Sequence, residues 1–156
     1  MAGLAELALA RGLKVQGTDL RASPSLDRLK ALGATVGLDH TALALAQAKT
    51  VVYSSAIKPM NVELATARKN GLAVLHRAEF LAELMVGKTG ITVAGTHGKS
   101  TTSAMITHML DSLGLDPTAA IGGTMRRYAS AARVGKSDLF LAEADESDGS
   151  FLKYSP

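Results

Sequence analysis

A chain of 156 residues suits one domain or two small ones. Its 47% hydrophobic and 20% charged residues can bury a core, which excludes disorder as the main state. The absence of cysteine excludes a disulfide scaffold, a cysteine-ligated zinc site and a cysteine nucleophile, and with 4% aromatics and no tryptophan a stacking platform for a nucleic-acid polymer is not expected.

The net charge of +3 is spread along the chain and reads as solubility rather than as a polyanion-binding face. No apolar run approaches the roughly 18 residues that span a bilayer, so no membrane partner is expected. The stretch from Met1 to Leu13 carries Glu6 and lacks a basic leader, so it reads as an amphipathic helix rather than a signal peptide. A cytoplasmic location is the expectation.

That first helix has Leu4, Leu7 and Ala8 on one face and stops at Gly12. A strand at Lys14–Gly17 runs into Thr18-Asp19, and a helix over Ser25–Leu32 ends at Gly33. A strand at Ala34–Gly37, a short helix around Thr41–Ala46 and a strand at Thr50–Tyr53 follow, the last running into Ser54-Ser55. A helix over Asn61–Asn70, a strand at Leu72–Leu75 and a helix at Ala78–Val86 complete the first region. Beyond Lys88-Thr89-Gly90 the strand Ile91–Ala94 leads into a glycine-containing loop and a helix with Ile106, Met109, Leu110 and Leu113 at helical spacing. Met105 and Met109 read as core filler. A strand at Thr118–Ile121 meets Gly122-Gly123, a basic loop carries Arg126, Arg127, Arg133 and Lys136, and a strand covers Asp138–Ala142.

Strands alternating with helices through short turns predict an α/β fold: a Rossmann-like parallel-sheet domain over residues 1–87, then the start of a P-loop-type α/β domain over 88–156. The chain opens inside a helix and stops just after a strand and an acidic cluster, which leads us to expect a piece of a longer polypeptide whose first strand is missing.

The strongest chemical signal is Gly95-Thr96-His97-Gly98-Lys99-Ser100-Thr101. Between a strand and a helix, such a loop lets backbone N–H groups converge on phosphate oxygens with the helix dipole behind them. Lys99 would neutralise phosphate charge, and the Ser100 hydroxyl would ligate Mg²⁺. Val93 stands where a strict Walker A motif has its first glycine. The bland alternative is an ordinary glycine-rich turn with Lys99 in solvent.

Glu143-Ala144-Asp145-Glu146-Ser147-Asp148 is the second signal. Carboxylates at the carboxyl end of a strand, beside a phosphate loop, are where another Mg²⁺ ligand is expected; alone they would read as a solvated loop. His97 is a candidate for contact with phosphate or an acyl group, or simply bonds a neighbouring backbone group. His40, His76 and His108 have no ligand spacing. Asp19 follows a strand, where an acid can bond a ribose hydroxyl or simply close a turn. Ser54, Ser55 and Ala56 could meet a nucleotide at the end of another strand. A dehydrogenase-like Rossmann protein would account for the first 87 residues and leave the Gly-Lys-Ser loop and the acidic cluster unused.

Three segments together resemble the muramyl ligases: Gly95–Thr102, Ala142–Leu152 and Val52–Pro59, supported by Gly17–Leu20 and Arg77–Leu84. The resemblance covers essentially the whole chain. Within the family it points to the branch that adds alanine, because the peptide-recycling branch usually reads Glu-Tyr-Asp where this chain has Glu146-Ser147-Asp148. It implies ATP-dependent joining of L-alanine to UDP-N-acetylmuramate through an acyl phosphate, with ATP and Mg²⁺ required. It also implies that Gly95, Thr96, His97, Gly98, Lys99, Ser100 and Thr101 bind ATP, with Lys99, His97 and Glu143 catalytic and Ser100 and Glu143 on the metal. Asp19, Ser54, Ser55, Ala56 and Arg77 would bind the UDP-sugar. A peptide-recycling ligase and a nucleotide-binding remnant without ligase activity are the alternatives. The loop Thr124–Arg133 departs from the small, Asn-containing loop of the family. The chain alone is expected to be inactive.

Overall fold

Helix signals in the first eighty residues are local and strong. Ser23, extended at φ −154° and ψ 155°, accepts the Leu26 N–H, and Pro24 occupies the first helical position, where it gives up no intrahelical bond. Asn61 caps a second helix by accepting from Glu63 and Leu64 N–H. The computed structural model describes residues 1–39, 45 and 47–144. Both the short helix expected around Thr41–Ala46 and the acidic run from Asp145 onward lie outside the described residues, apart from Leu45. The chain forms two compact units, Met1–Phe80 and the residues from Leu81 onward.

The first unit contains α1 (Ala2–Ala10), β1 (Gln16–Thr18), α2 (Pro24–Ala31), β2 (Thr35–Gly37), β3 (Thr50–Tyr53), α3 (Val62–Lys69) and β4 (Ala73–His76). β1 pairs with β2 and β3 with β4, both parallel, as two separate two-stranded ladders. Leu26, Leu29 and Ala34 form its core, with Ala2, Ala5, Leu9, Val15 and Val36 packed around them. Glu6, on the buried face of α1, is held by the Arg28 guanidinium at 3.0 Å.

Helix α4 (Arg77–Met85) follows β4 directly. The second unit then runs through β5 (Thr89–Val93), α5 (Lys99–Ser112), β6 (Thr118–Met125), β7 (Ser130–Arg133) and β8 (Leu139–Glu143). Its sheet order is β5-β8-β6-β7, with β8 parallel to both β5 and β6. The α/β class with parallel pairing is therefore as the sequence predicts. Ala119, Met125 and Leu141 form the core beneath α5, with Ile91, Ala104, Ile106, Ile121 and Tyr128 against them.

Two expectations are corrected here. The basic loop after Gly122-Gly123 is a hairpin: β6 extends to Met125 and returns as β7, antiparallel, with Ala119 opposite Arg133 and Ala120 opposite Ala132. Ser130-Ala131-Ala132-Arg133 has no β-branched or aromatic residue to announce a strand. Met105 and Met109 are also not core filler, being 67% and 59% exposed. The face that α5 buries is made of small residues, Ser103 and Thr107, one turn apart. Thr107 is buried without penalty because its hydroxyl donates to the Ser103 carbonyl at 2.8 Å.

Candidate functional site

β5 ends at Val93, and the chain passes through an exposed loop before α5 begins at Lys99. Gly95 takes φ +142° and Gly98 φ +80°, conformations that side chains disfavour, and Gly98 is the N-cap of α5. Thr102 N–H donates to the Gly98 carbonyl at 2.9 Å, closing the first helical turn. Thr96, His97 and Thr101 are exposed on this loop and turn. The Lys99 ammonium donates back to the Gly95 carbonyl at 2.7 Å, against the loop that precedes its own helix.

Glu143 is placed there by strand register. β5 and β8 run parallel with Val93 opposite Glu143, and Ala144 N–H donates to the Val93 carbonyl at 3.0 Å. The last residue of β8 thus stands beside the start of the loop between β5 and α5. Ser100 Oγ donates to Glu143 Oε2 at 3.2 Å. The other carboxylate oxygen, Glu143 Oε1, is buried and has no hydrogen-bond partner among the described residues. A buried, unpartnered carboxylate oxygen is costly unless a cation or donor completes it. Hard oxygen donors, one ionic and one neutral, suit Mg²⁺, with phosphate and water oxygens filling the rest of its shell. Asp145, Glu146 and Asp148 lie outside the described residues. Among the described residues no group of three or more His, Asp or Glu side chains could hold a metal.

Next to this pair is a cavity of about 620 Å³ between α5 and the β6–β7 hairpin, lined by Ser100, Ala104, Met105, Ile121, Arg126 and Tyr128 among others. Most of the basic residues of the hairpin hold the fold. Arg133 bonds Asp111, the Pro117 carbonyl and, at 2.8 Å, Asp116. Arg127 lies on Asp111 at 3.6 Å and on His108 Nδ1 at 3.3 Å. The Tyr128 hydroxyl donates to Asp111 at 2.8 Å and, with the arginines, holds that carboxyl below the usual range. Burial and the same carboxylate push the Tyr128 hydroxyl up. The Lys136 N–H, followed by Arg133, does for Asp116 what Tyr128 does for Asp111.

In the first unit each sequence-picked residue follows the carboxyl end of a strand: Asp19 after β1, Ser54 to Ala56 after β3, Arg77 after β4. That is where open parallel sheets take ligands. Asp19 accepts the Arg21 N–H at 3.1 Å, the turn-closing role open to it. Ser55 Oγ and His76 Nε2 are 3.0 Å apart, and the His76 ring meets Tyr53 edge-on with centroids 5.4 Å apart. His76 escaped sequence reasoning because only the Tyr53–His76 register brings it to Ser55. Thr18, likewise missed, donates its hydroxyl to the Glu63 carboxylate at 2.8 Å.

A family model described as the Mur ligase family, catalytic domain, matches residues 1–89, more than half of the chain. The chain belongs to the Mur ligase family. It is similar to the UDP-N-acetylmuramate–L-alanine ligase of Salinispora tropica, 51% identical over 156 residues and spanning 30% of that protein. It is also similar to that of Maricaulis maris, at 50% identity over 98% of this chain and 33% of the other. The chain therefore spans about a third of the length of these curated relatives. Among solved Mur ligase structures, it superposes on UDP-N-acetylmuramate-alanine ligase MurC from Thermotoga maritima with TM-score 0.92 and 27% identity, covering 100% of this chain and 37% of that one. A UDP-N-acetylmuramate:L-alanyl-gamma-D-glutamyl-meso-diaminopimelate ligase from Neisseria meningitides gives TM-score 0.91 and 30% identity, with 100% and 54% covered. No helix among the described residues is long and apolar enough to cross a membrane.

Proposed function

We propose that this chain carries the nucleotide and sugar-nucleotide portions of an ATP-dependent, amide-forming Mur ligase that joins L-alanine to UDP-N-acetylmuramate in the cytoplasm. The observation that carries the reading is the Ser100–Glu143 pair: a hydroxyl in the first turn of α5, 3.2 Å from a carboxylate whose second oxygen is buried without a partner among the described residues. The curated relatives at 50–51% identity are alanine-adding ligases, and they favour alanine over murein-peptide recycling. The solved structures, at 27% identity for the alanine ligase and 30% for the peptide ligase, do not separate the two.

In this reading residues 88–156 bind ATP and residues 1–87 bind the UDP-sugar. The loop Gly95–Thr101 holds the phosphates through backbone N–H groups, and Lys99 exchanges the Gly95 carbonyl for phosphate oxygens. Ser100 and Glu143 hold Mg²⁺, which supplies charge neutralisation at the phosphates. The muramyl carboxylate attacks the γ-phosphorus as the bond to the bridging oxygen breaks, giving an acyl phosphate and ADP. The amine of alanine then attacks the acyl carbon, inorganic phosphate leaves, and the amine proton passes to solvent. Lys99 and His97, both at the loop, balance charge on the transferring group, a mainly electrostatic task. Asp19, Ser54, Ser55, Ala56 and Arg77 receive the UDP-sugar.

Titration of the chain with a non-hydrolysable ATP analogue and Mg²⁺ tests the first half. Lys99→Ala should weaken binding by about tenfold or more; equal binding would overturn the nucleotide role of the loop. A rise in melting temperature with UDP-N-acetylmuramate is expected as well. Nucleotide binding without that rise would leave a nucleotide-binding module outside ligase chemistry.

A further inference from the structure

Gly122 and Gly123 sit in mid-strand in the eight-residue β6, where glycine weakens a ladder and packs nothing. No backbone conformation asks for Gly122, since its φ lies outside the left-handed region. Space does. A Cβ on Gly122 would stand 2.8 Å from Glu143 Oε2, 3.5 Å from Ser100 Oγ and 3.7 Å from Glu143 Cδ. Real Cβ atoms essentially never come as close as the first of these. At Gly123 the nearest atoms would be Ser100 Cβ at 3.8 Å and Ser100 Oγ at 4.0 Å, ordinary contacts. The two glycines are adjacent, yet only one is required by its surroundings.

We propose that Gly122 is a positioning residue: its bare backbone leaves the space through which the Glu143 carboxylate reaches Ser100 Oγ, and so sets the oxygen pair for a divalent cation. The inference rests on the cation reading above and goes beyond it, because Gly122 itself offers the cation nothing. The atom that a methyl group would displace is the end of a flexible side chain. Gly122→Ala should therefore move the carboxylate and leave the sheet standing.

The test uses the full chain, Mn²⁺ with a non-hydrolysable ATP analogue, and the loss of the free Mn²⁺ spin-resonance signal as readout. Gly122→Ala should weaken Mn²⁺ binding by about tenfold, the range seen when groups that orient a metal ligand are changed. Gly123→Ala should leave it within about twofold. Glu143→Asp, one methylene shorter, should weaken binding in the native background yet improve it in Gly122→Ala, a non-additivity expected only if the two positions compete for the same space. A native chain that takes up no Mn²⁺ would bring down the cation reading, and this inference with it. Native binding that Gly122→Ala leaves unchanged would overturn the inference alone. So would a Gly122→Ala chain that no longer folds, by placing the glycine's role in the sheet.

Discussion

The two units hide opposite elements. In the second, the central strand β8 is shut in: Phe140, Leu141 and Ala142 are 1%, 0% and 0% exposed, with parallel partners on both edges. In the first, no residue of β1, β2, β3 or β4 is buried, and the buried side chains belong mainly to helices, Leu7, Leu26, Leu29 and Leu64 among them. Parallel strands are normally covered on both faces, and a two-stranded ladder has little stability of its own. The difference bears on chemistry. Glu143 is fixed to its loop by a four-stranded sheet, whereas Asp19, Ser55 and Arg77 follow strands that rest on short ladders. The proposed phosphate site is thus rigidly framed, and the proposed sugar site is framed by helices.

Breaking the sheet of the second unit should have the largest effect. A Cβ on Gly135 would overlap the carbonyls of Asp116 and Pro117, which are backbone and cannot swing aside. Gly135→Ala should cost about 3 kcal/mol or more, read as a lower urea midpoint and loss of slow-exchanging amides in β8. Leu141→Ala, emptying a fully buried site, should cost about 2–5 kcal/mol. Val74→Ala, on the half-buried β4, should cost about 1 kcal/mol. Equal losses at Leu141 and Val74 would show that the ladders are better covered than their exposure indicates.

What the sequence reveals follows the same division. The helices of the first unit were legible from periodicity and from stops such as Gly12 and Gly33, because those signals act within a few residues, whereas the start at Ser23-Pro24 is given by the structure. The strand–loop–helix at Val93–Ser100 was legible because glycine at Gly95 and Gly98 answers a local backbone need. Hairpin strand β7 was not, since Ser-Ala-Ala-Arg becomes a strand only through pairing with Ala119 and Ala120. The exposed methionines of α5 misled for a related reason: spacing gives a helical face, but which face is buried depends on how closely Ser103 and Thr107 let the helix approach. In the second unit Lys99, Ser100 and Glu143 stand out as residue types, whereas the nearness of Gly122 to Glu143 and, in the first unit, of His76 to Ser55 arises from space and register and has no signature along the chain.

Acid should separate the units next. Asp111 and Asp116 titrate below their ordinary value of 3.8 in the folded second unit. A carboxyl whose folded value is depressed adds stability that is present in full above the unfolded value and is lost as pH falls through the folded one. The urea midpoint of the second unit should thus hold down to about pH 4 and drop below it. Tyr128→Phe removes the largest cause at Asp111, and Asp116→Asn removes the second carboxyl, so each should flatten the fall. Both groups are near solvent, and salt should shrink the effect.

A small effect belongs to the first unit, at an ion pair that ties its two opening helices together. Glu6 is 7% exposed on α1, and Arg28 on α2 reaches it at 3.0 Å while remaining 42% exposed itself. Because Glu6 is buried, losing a partner costs more than at the surface; because Arg28 is half in solvent, water can take up part of its role. Arg28→Ala should therefore cost about 1 kcal/mol. Arg28→Lys should cost less, since it keeps the charge and gives up only the guanidinium geometry. Hydrogen exchange decides where the loss falls. Faster exchange confined to α1 and α2, with β8 unchanged, is the outcome expected of a unit whose helices, rather than its strands, carry the core; acceleration in β3 and β4 ahead of α1 would make the ladders the element that the helices depend on.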